Sequence, residues 1–221
     1  MKVGILFSGG KDSTYAAWLA KKEGHDIECL MTLISENKYS FMFHTPAIEL
    51  TKKQAELMNI PLITRETLGE KEEELRDIKK IIEKAIVKYN IKGVVTGALA
   101  SDYQASRIQK ICDEFKIKCI NPLWHMNQIE LLKKLIKDKF EVIISGVAAY
   151  PLDKKWLGRK IDEKFILDIS KLAEKYKLNP AGEGGEVESL VVNCPLFREK
   201  LKVKLLDIEG ERNSWRGVFE A

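Results

Sequence analysis

The sequence predicts an α/β fold: a parallel sheet of about five strands with helices on both faces, then a smaller C-terminal α/β domain. Two observations carry this prediction. Short apolar runs alternate five times with amphipathic segments over residues 1–120, and these runs are continuously apolar, as in strands buried on both faces. Beyond Pro122-Leu123-Trp124 the runs become shorter and partly alternating, which marks a change of domain. The division is drawn as 1–125 and 126–221.

The first strand is Val3–Phe7, and the apolar residues of Ser13–Lys22 suit a helix. Ile27–Ile34 is a second strand. Thr45-Pro46 resembles an N-cap with proline at the first helical position, and Ile48, Thr51, Ala55 and Met58 follow at helical spacing. Pro61–Thr64 is a third strand. Glu70–Lys88 has acidic residues at its start and Lys84 and Lys88 at its end, matching the helix dipole, with Leu75, Ile78, Ile82 and Ala85 as its buried stripe. Gly93–Gly97 is the fourth strand, Ser101 caps a helix through Phe115, and Ile117–Ile120 is the fifth strand.

In the second domain Asn127 and Glu130 form a capping pair for a helix with Leu131, Leu132, Leu135 and Ile136 as core candidates. Glu141–Tyr150 is a buried strand and Asp162–Lys177 an amphipathic helix stopped by Asn179-Pro180. Leu190–Asn193, Leu201–Ile208 and Ser214–Phe219 complete the domain as strands.

The 221 residues carry 37 basic and 33 acidic side chains, a net charge of +4 that is too balanced for a nucleic-acid binder. No apolar run approaches the ~20 residues of a membrane helix. The N-terminus runs directly into the first strand with no signal-peptide pattern, so a cytoplasmic location is expected. Cys29, Cys112, Cys119 and Cys194 include no C-x-x-C pair, which leaves a zinc site or dithiol motif unsupported and buried thiols expected.

The chemistry concentrates at Ser8-Gly9-Gly10-Lys11-Asp12-Ser13, between the first strand and helix. The first amides of a helix lack internal partners and sit at the positive end of its dipole, so a glycine turn there can wrap them around phosphate oxygens. Lys11 adds positive charge, Ser8 and Ser13 add hydroxyls, and Asp12 can hold a hard cation bridging phosphates. The G-x-x-x-x-G-K-[ST] loop fails twice here, with Ile5 at its first glycine and Asp12 at its hydroxyl.

A second constellation, Gly182-Glu183-Gly184-Gly185-Glu186-Val187-Glu188-Ser189, crowds three glutamates around adjacent glycines. Such carboxylates repel unless a cation, a cationic substrate or an ordered donor set offsets them. Read physically, a functional acidic loop and a solvated acidic turn are evenly matched.

S-G-G-K-D-S resembles the PP-loop of the ATP pyrophosphatases, enzymes that split ATP between its α and β phosphates and adenylate a substrate. G-E-G-G-E-V-E-S is similar to the E-G-G-E-[FY]-E-[ST] signature of one branch, the diphthine–ammonia ligase family, with Val187 in place of the usual aromatic. Further agreement lies in Tyr39–Pro46, Thr96-Gly97-Ala98, Ser101-Asp102-Tyr103-Gln104-x-x-Arg107, Pro122-Leu123-Trp124 and Trp156-Leu157-Gly158-Arg159. The resemblance implies a Rossmann-like, adenine nucleotide alpha hydrolase-like fold and conversion of diphthine on elongation factor 2 to diphthamide with ATP, Mg2+ and ammonia, through an acyl-adenylate.

It also implies roles. Ser8, Gly9, Gly10, Lys11, Asp12 and Ser13 would bind the ATP phosphates, with Lys11 and Asp12 catalytic and Asp12 a magnesium ligand. Ser101, Tyr103, Gln104, Arg107, Glu183, Gly184, Gly185, Glu186 and Glu188 would bind substrate. No role is assigned to His44. No nucleic acid or membrane partner is expected, and a homodimer is left open. Two other readings are a PP-loop tRNA-modifying enzyme and a nucleotide-binding sensor without turnover.

Overall fold

The computed structural model describes residues 1–35, 48–67 and 71–221. The whole Tyr39–Pro46 stretch, with His44 and Thr45-Pro46 in it, and Glu70 lie outside the described residues. The chain falls into two compact units, one of Met1–Ser8 with Asp12–Trp124 and the other of Gly9–Lys11 with His125–Ala221.

In the first unit β1 (Lys2–Leu6), β2 (Asp26–Ser35), β3 (Leu62–Thr67), β4 (Gly93–Val95) and β5 (Lys118–Ile120) pair in parallel, in the order β3-β2-β1-β4-β5. The connecting helices are α1 (Lys11–Lys22), α2 (Ile48–Met58), α3 (Lys71–Tyr89) and α4 (Asp102–Glu114). Because parallel crossovers are right-handed, the outward march from β1 to β3 and the return to β4 and β5 put α1 and α2 on one face and α3 and α4 on the other. The core reflects this: Ile78, Ile81, Ile82 and Ala85 of α3 and Ile108, Ile111 and Cys112 of α4 are buried with Leu6, Met31, Leu33, Ile63 and Val94 of the sheet. Each fully buried aliphatic side chain of this kind contributes about 1.5–3 kcal/mol. The reversal of direction between β1 and β4 creates the crevice at strand carboxyl ends where open α/β sheets bind ligands.

The second unit contains α5 (Gln128–Lys137), β6 (Glu141–Val147), α6 (Glu163–Tyr176), β7 (Val187–Asn193), β8 (Lys204–Glu211) and β9 (Ser214–Glu220). Its strands form an antiparallel sheet in the order β7-β6-β9-β8. Asn127 caps α5 by accepting from the N–H groups of Ile129 and Glu130, and Asp162 caps α6 by accepting from Phe165 N–H. Leu131, Leu132 and Leu135 of α5 and Phe165, Ile166 and Ile169 of α6 are buried. Between β6 and α6, the Trp156–Arg159 stretch serves the fold. Gly158 N–H donates to Ile144 O and Ile144 N–H to Arg159 O, while the Arg159 guanidinium lies 4.6 Å from the Trp156 ring centre and pairs with Asp168 at 2.6 Å.

Several boundaries differ from expectation: β3 runs on to Thr67 and β4 stops at Val95. The first helix begins at Lys11 instead of Ser13, so Lys11 and Asp12 occupy its first turn. Strand β6 ends at Val147, short of Tyr150. Strand β7 begins at Val187 instead of Leu190, within the acidic stretch. Leu201 lies outside β8; its N–H donates to Val192 O. No helix among the described residues is long and apolar enough to cross a membrane.

Candidate active site

The end of β1 is fixed by its neighbour: Phe7 N–H donates to Met31 O at 2.8 Å, and Thr32 Oγ1 donates to Phe7 O at 2.7 Å. The chain then turns through Gly9 at φ 78°, a left-handed conformation that favours glycine, and enters α1 at Lys11. Ser8 N–H donates to Ser13 Oγ at 3.2 Å and the two hydroxyl oxygens lie 3.1 Å apart, closing the turn. Lys11, Ser13 and Thr14 are buried. Together these features gather helix amides, two serine hydroxyls and one lysine at a helix head, an arrangement that would favour an anion there.

Gly97, just beyond β4, packs directly on the head of α1. A Cβ placed there would lie 2.7 Å from Ser13 N and 2.8 Å from Asp12 C. Only glycine allows this approach, which explains Thr96-Gly97-Ala98. Thr96 Oγ1 donates to Asn121 Oδ1 at 2.6 Å and accepts from Ala98 N–H at 3.1 Å, holding the turn after β4.

At the start of α4, Ser101 O accepts from Ala105 N–H at 3.0 Å, and the Arg107 guanidinium stacks 3.4 Å from the Tyr103 ring centre. Arg107 and Tyr103 thus form one flat cationic face, worth about 0.5–2 kcal/mol as a stacked pair. Of Gln104 only the backbone, within α4, is described.

The acidic loop is ordered by donors. Asn179 N–H and Nδ2 donate to Glu186 Oε1 at 3.0 and 2.7 Å, and Gly184 N–H donates to Glu186 Oε2 at 2.9 Å. Gln128 Nε2 donates to Asn179 Oδ1 at 3.0 Å, and Gln128 Oε1 accepts from Ala181 N–H at 2.9 Å. Glu186 therefore shapes its own loop, with Gly185 at φ 85° completing the turn. Arg216 Nη2 donates to Glu188 Oε1 at 3.1 Å, and the Glu188 carboxylate lies over Gly146, where a Cβ would stand 2.6 Å from Oε2. Glu183 is half-buried, and Gly184 exposed. Val187 is buried against Gly182: a Cβ on Gly182 would lie 2.4 Å from Val187 O and 3.0 Å from Val187 Cβ.

Ser189, the last residue of this motif, was not among the expected site residues. Within the second unit Lys11 N–H donates to Ser189 Oγ at 3.1 Å, and Val191 N–H donates to Gly9 O at 3.1 Å. Alternate residues of β7 thus hold the glycine turn. The signal for Ser189 was its place in the motif; Gln128, Asn121 and Asn179 carried none.

Among the described residues no three metal-ligating side chains gather into a cluster. Mg2+ normally takes one or two carboxylates and completes its shell with substrate phosphates and water, so the single carboxylate of Asp12 beside the anion cradle fits it.

Residues 1–119 match the family described as diphthamide synthase N-terminal domain, and residues 127–220 match the diphthamide synthase C-terminal domain. The chain is 34% identical to the diphthine–ammonia ligase of Rattus norvegicus, over 92% of this chain and 83% of that protein. It is 33% identical to the Homo sapiens diphthine–ammonia ligase over the same shares. A solved structure, of a "predicted subunit of tRNA methyltransferase" from Methanocaldococcus jannaschii, is 19% identical with a TM-score of 0.44, covering 88% of this chain and 98% of that one. With both of its domains matched, and with curated relatives alike over nearly its whole length, the chain belongs to the diphthamide synthase family of ligases.

Proposed function

We propose that this enzyme amidates the diphthine carboxylate of elongation factor 2 to diphthamide, consuming ATP and ammonia and releasing AMP and pyrophosphate. The observation that supports this most is the anion cradle at Ser8–Ser13, built at the switch point of the sheet in a chain of this family. A carboxylate is a poor electrophile. Attack of its oxygen on the α-phosphorus expels pyrophosphate and yields a mixed anhydride, from which ammonia displaces AMP. Such a reaction needs positive charge where pyrophosphate departs.

In this reading the amides of Gly9, Gly10, Asp12 and Ser13 and the hydroxyls of Ser8 and Ser13 hold the phosphates, while the Lys11 amide is held by Ser189 Oγ. Lys11 offsets the charge growing on the leaving group, a contribution for which removal of one donor typically costs roughly 10²–10³ in rate. Asp12 holds Mg2+, which when bound neutralises phosphate charge. Ser101, Gln104 and the Tyr103–Arg107 pair receive the activated carboxylate, where a guanidinium suits an oxyanion. Glu183, Gly184, Gly185, Glu186 and Glu188 form the loop for the cationic acceptor, with Glu186 as its organiser. We place the reaction in the cytoplasm, in keeping with four free cysteines.

The test is to incubate the purified chain with diphthine-bearing elongation factor 2, ATP and ammonium, and to weigh the factor by mass spectrometry. Amidation with matching AMP release is expected, and Lys11→Ala and Asp12→Ala should each abolish both. Glutamine in place of ammonium should give nothing. ADP as the nucleotide product, or full activity in Asp12→Ala, refutes the mechanism.

A further inference from the structure

The four cysteines are not equivalent. Cys29 and Cys194 are buried, and desolvation pushes each thiol up to about 12, leaving it inert. Cys112 on α4 and Cys119 on β5 differ because the chain folds back between them. Ile117 N–H donates to Cys112 O at 3.0 Å and Lys116 takes the left-handed φ of 54°, so the head of β5 returns along the end of α4. Cys119 packs against the buried cluster that contains Cys112, and each thiol shifts the pKa of the other, although no C-x-x-C spacing announces them.

Cys112 is fully buried, whereas Cys119 is half-buried on the edge strand of the sheet, where a small oxidant can reach it. Cys119 also touches the hydrogen-bond chain behind the anion cradle. Its sulfur lies 3.9 Å from Asn121 Oδ1, which accepts from Thr96 Oγ1, which in turn accepts from Ala98 N–H. Gly97, between Thr96 and Ala98, rests on the backbone of Asp12 and Ser13.

We propose that Cys112 and Cys119 are a redox modification site: a hydroperoxide converts them to a disulfide, and the bond loosens the turn after β4 through Asn121. The Cys119 thiolate attacks one peroxide oxygen, breaking the O–O bond and forming a sulfenic acid while hydroxide leaves and is protonated. The Cys112 sulfur then attacks the Cys119 sulfur, forming the S–S bond, and the second oxygen leaves as water with the Cys112 proton. Two thiols are oxidised and one peroxide is reduced. The order of attack follows from exposure: the half-buried Cys119 meets the oxidant first, and the fully buried Cys112 then resolves the sulfenic acid. A disulfide holds its sulfurs about 2 Å apart, so Cys119 is drawn toward α4 and away from Asn121.

The experiment treats the folded full chain with hydrogen peroxide, blocks remaining thiols, and maps peptides without reduction. The expected product is one cross-linked peptide pair containing Cys112 and Cys119, reversed by dithiothreitol. Cys112→Ser should instead leave a dimedone-reactive sulfenic acid on Cys119. Amide hydrogen exchange over residues 94–100 should quicken in the oxidised chain and stay at the reduced rate in oxidised Cys112→Ser. Neither readout depends on the ligase reaction. No cross-link, or one that uses Cys29 or Cys194, overturns the site; a Cys112–Cys119 link with unchanged exchange over 94–100 overturns the relay.

Discussion

Replacing Gly97 with alanine tests how tightly the head of α1 is held. The added Cβ would meet Ser13 N at 2.7 Å and Asp12 C at 2.8 Å, whereas ordinary contact begins at 3.4 Å, so something must retreat by about 0.7 Å. Both obstacles are backbone and neither can rotate away. The strain falls on the α1 head or on the turn after β4, and the latter is held by the Thr96–Asn121 bond. Overpacking of this kind costs about 1–3 kcal/mol, and a misplacement approaching 1 Å at a reacting centre costs up to ~10²-fold in rate. Gly97→Ala should therefore lower the urea midpoint modestly and cut ATP turnover roughly 10- to 100-fold. Turnover is read as AMP released at saturating ATP, with circular dichroism confirming a folded protein. A Gly97→Ala protein that releases AMP at the parent's rate refutes the argument that this contact sets the cradle.

Ser189→Ala removes the acceptor of Lys11 N–H, and loss of one such bond should raise the KM for ATP about 2- to 10-fold with little change in kcat; Ser189→Thr should restore it. Glu186→Gln presents an amide where Gly184 or Asn179 N–H now meets a carboxylate, so limited proteolysis at 182–186 should accelerate while ATP affinity holds. Hydrogen bonding from Lys200 lowers the pKa of Glu141 below its ordinary 4.5. Its stabilisation is then complete above that value and fades as pH falls through the lowered folded-state pKa, so Glu141→Gln should flatten the acid limb of an unfolding curve.

The parallel sheet was legible because burial on both faces leaves continuous apolar runs, and the caps at Asn127 and Asp162 were legible because capping is local. The start of β7 was hidden, since Glu186 and Glu188 read as loop residues although they alternate with Val187 and Ser189. Charge at Lys11 and Asp12 likewise masked the first turn of α1. Ser8 to Ser13 read as one turn from the sequence because they are consecutive. The partners of Glu186 could not be named, since Gln128 and Asn179 are distant in sequence and meet only after folding. The pairing of Cys112 with Cys119 depends in the same way on a turn at Lys116.

Val187, which stands where the resembled E-G-G-E-[FY]-E-[ST] signature has an aromatic residue, is buried against Gly182. In this chain that letter of the motif fills the room beneath the loop. A search pattern that insists on a ring at this position would discard genuine members of the family. Written instead as glycines, glutamates and a terminal hydroxyl around any inward apolar side chain, the pattern describes what the loop physically requires.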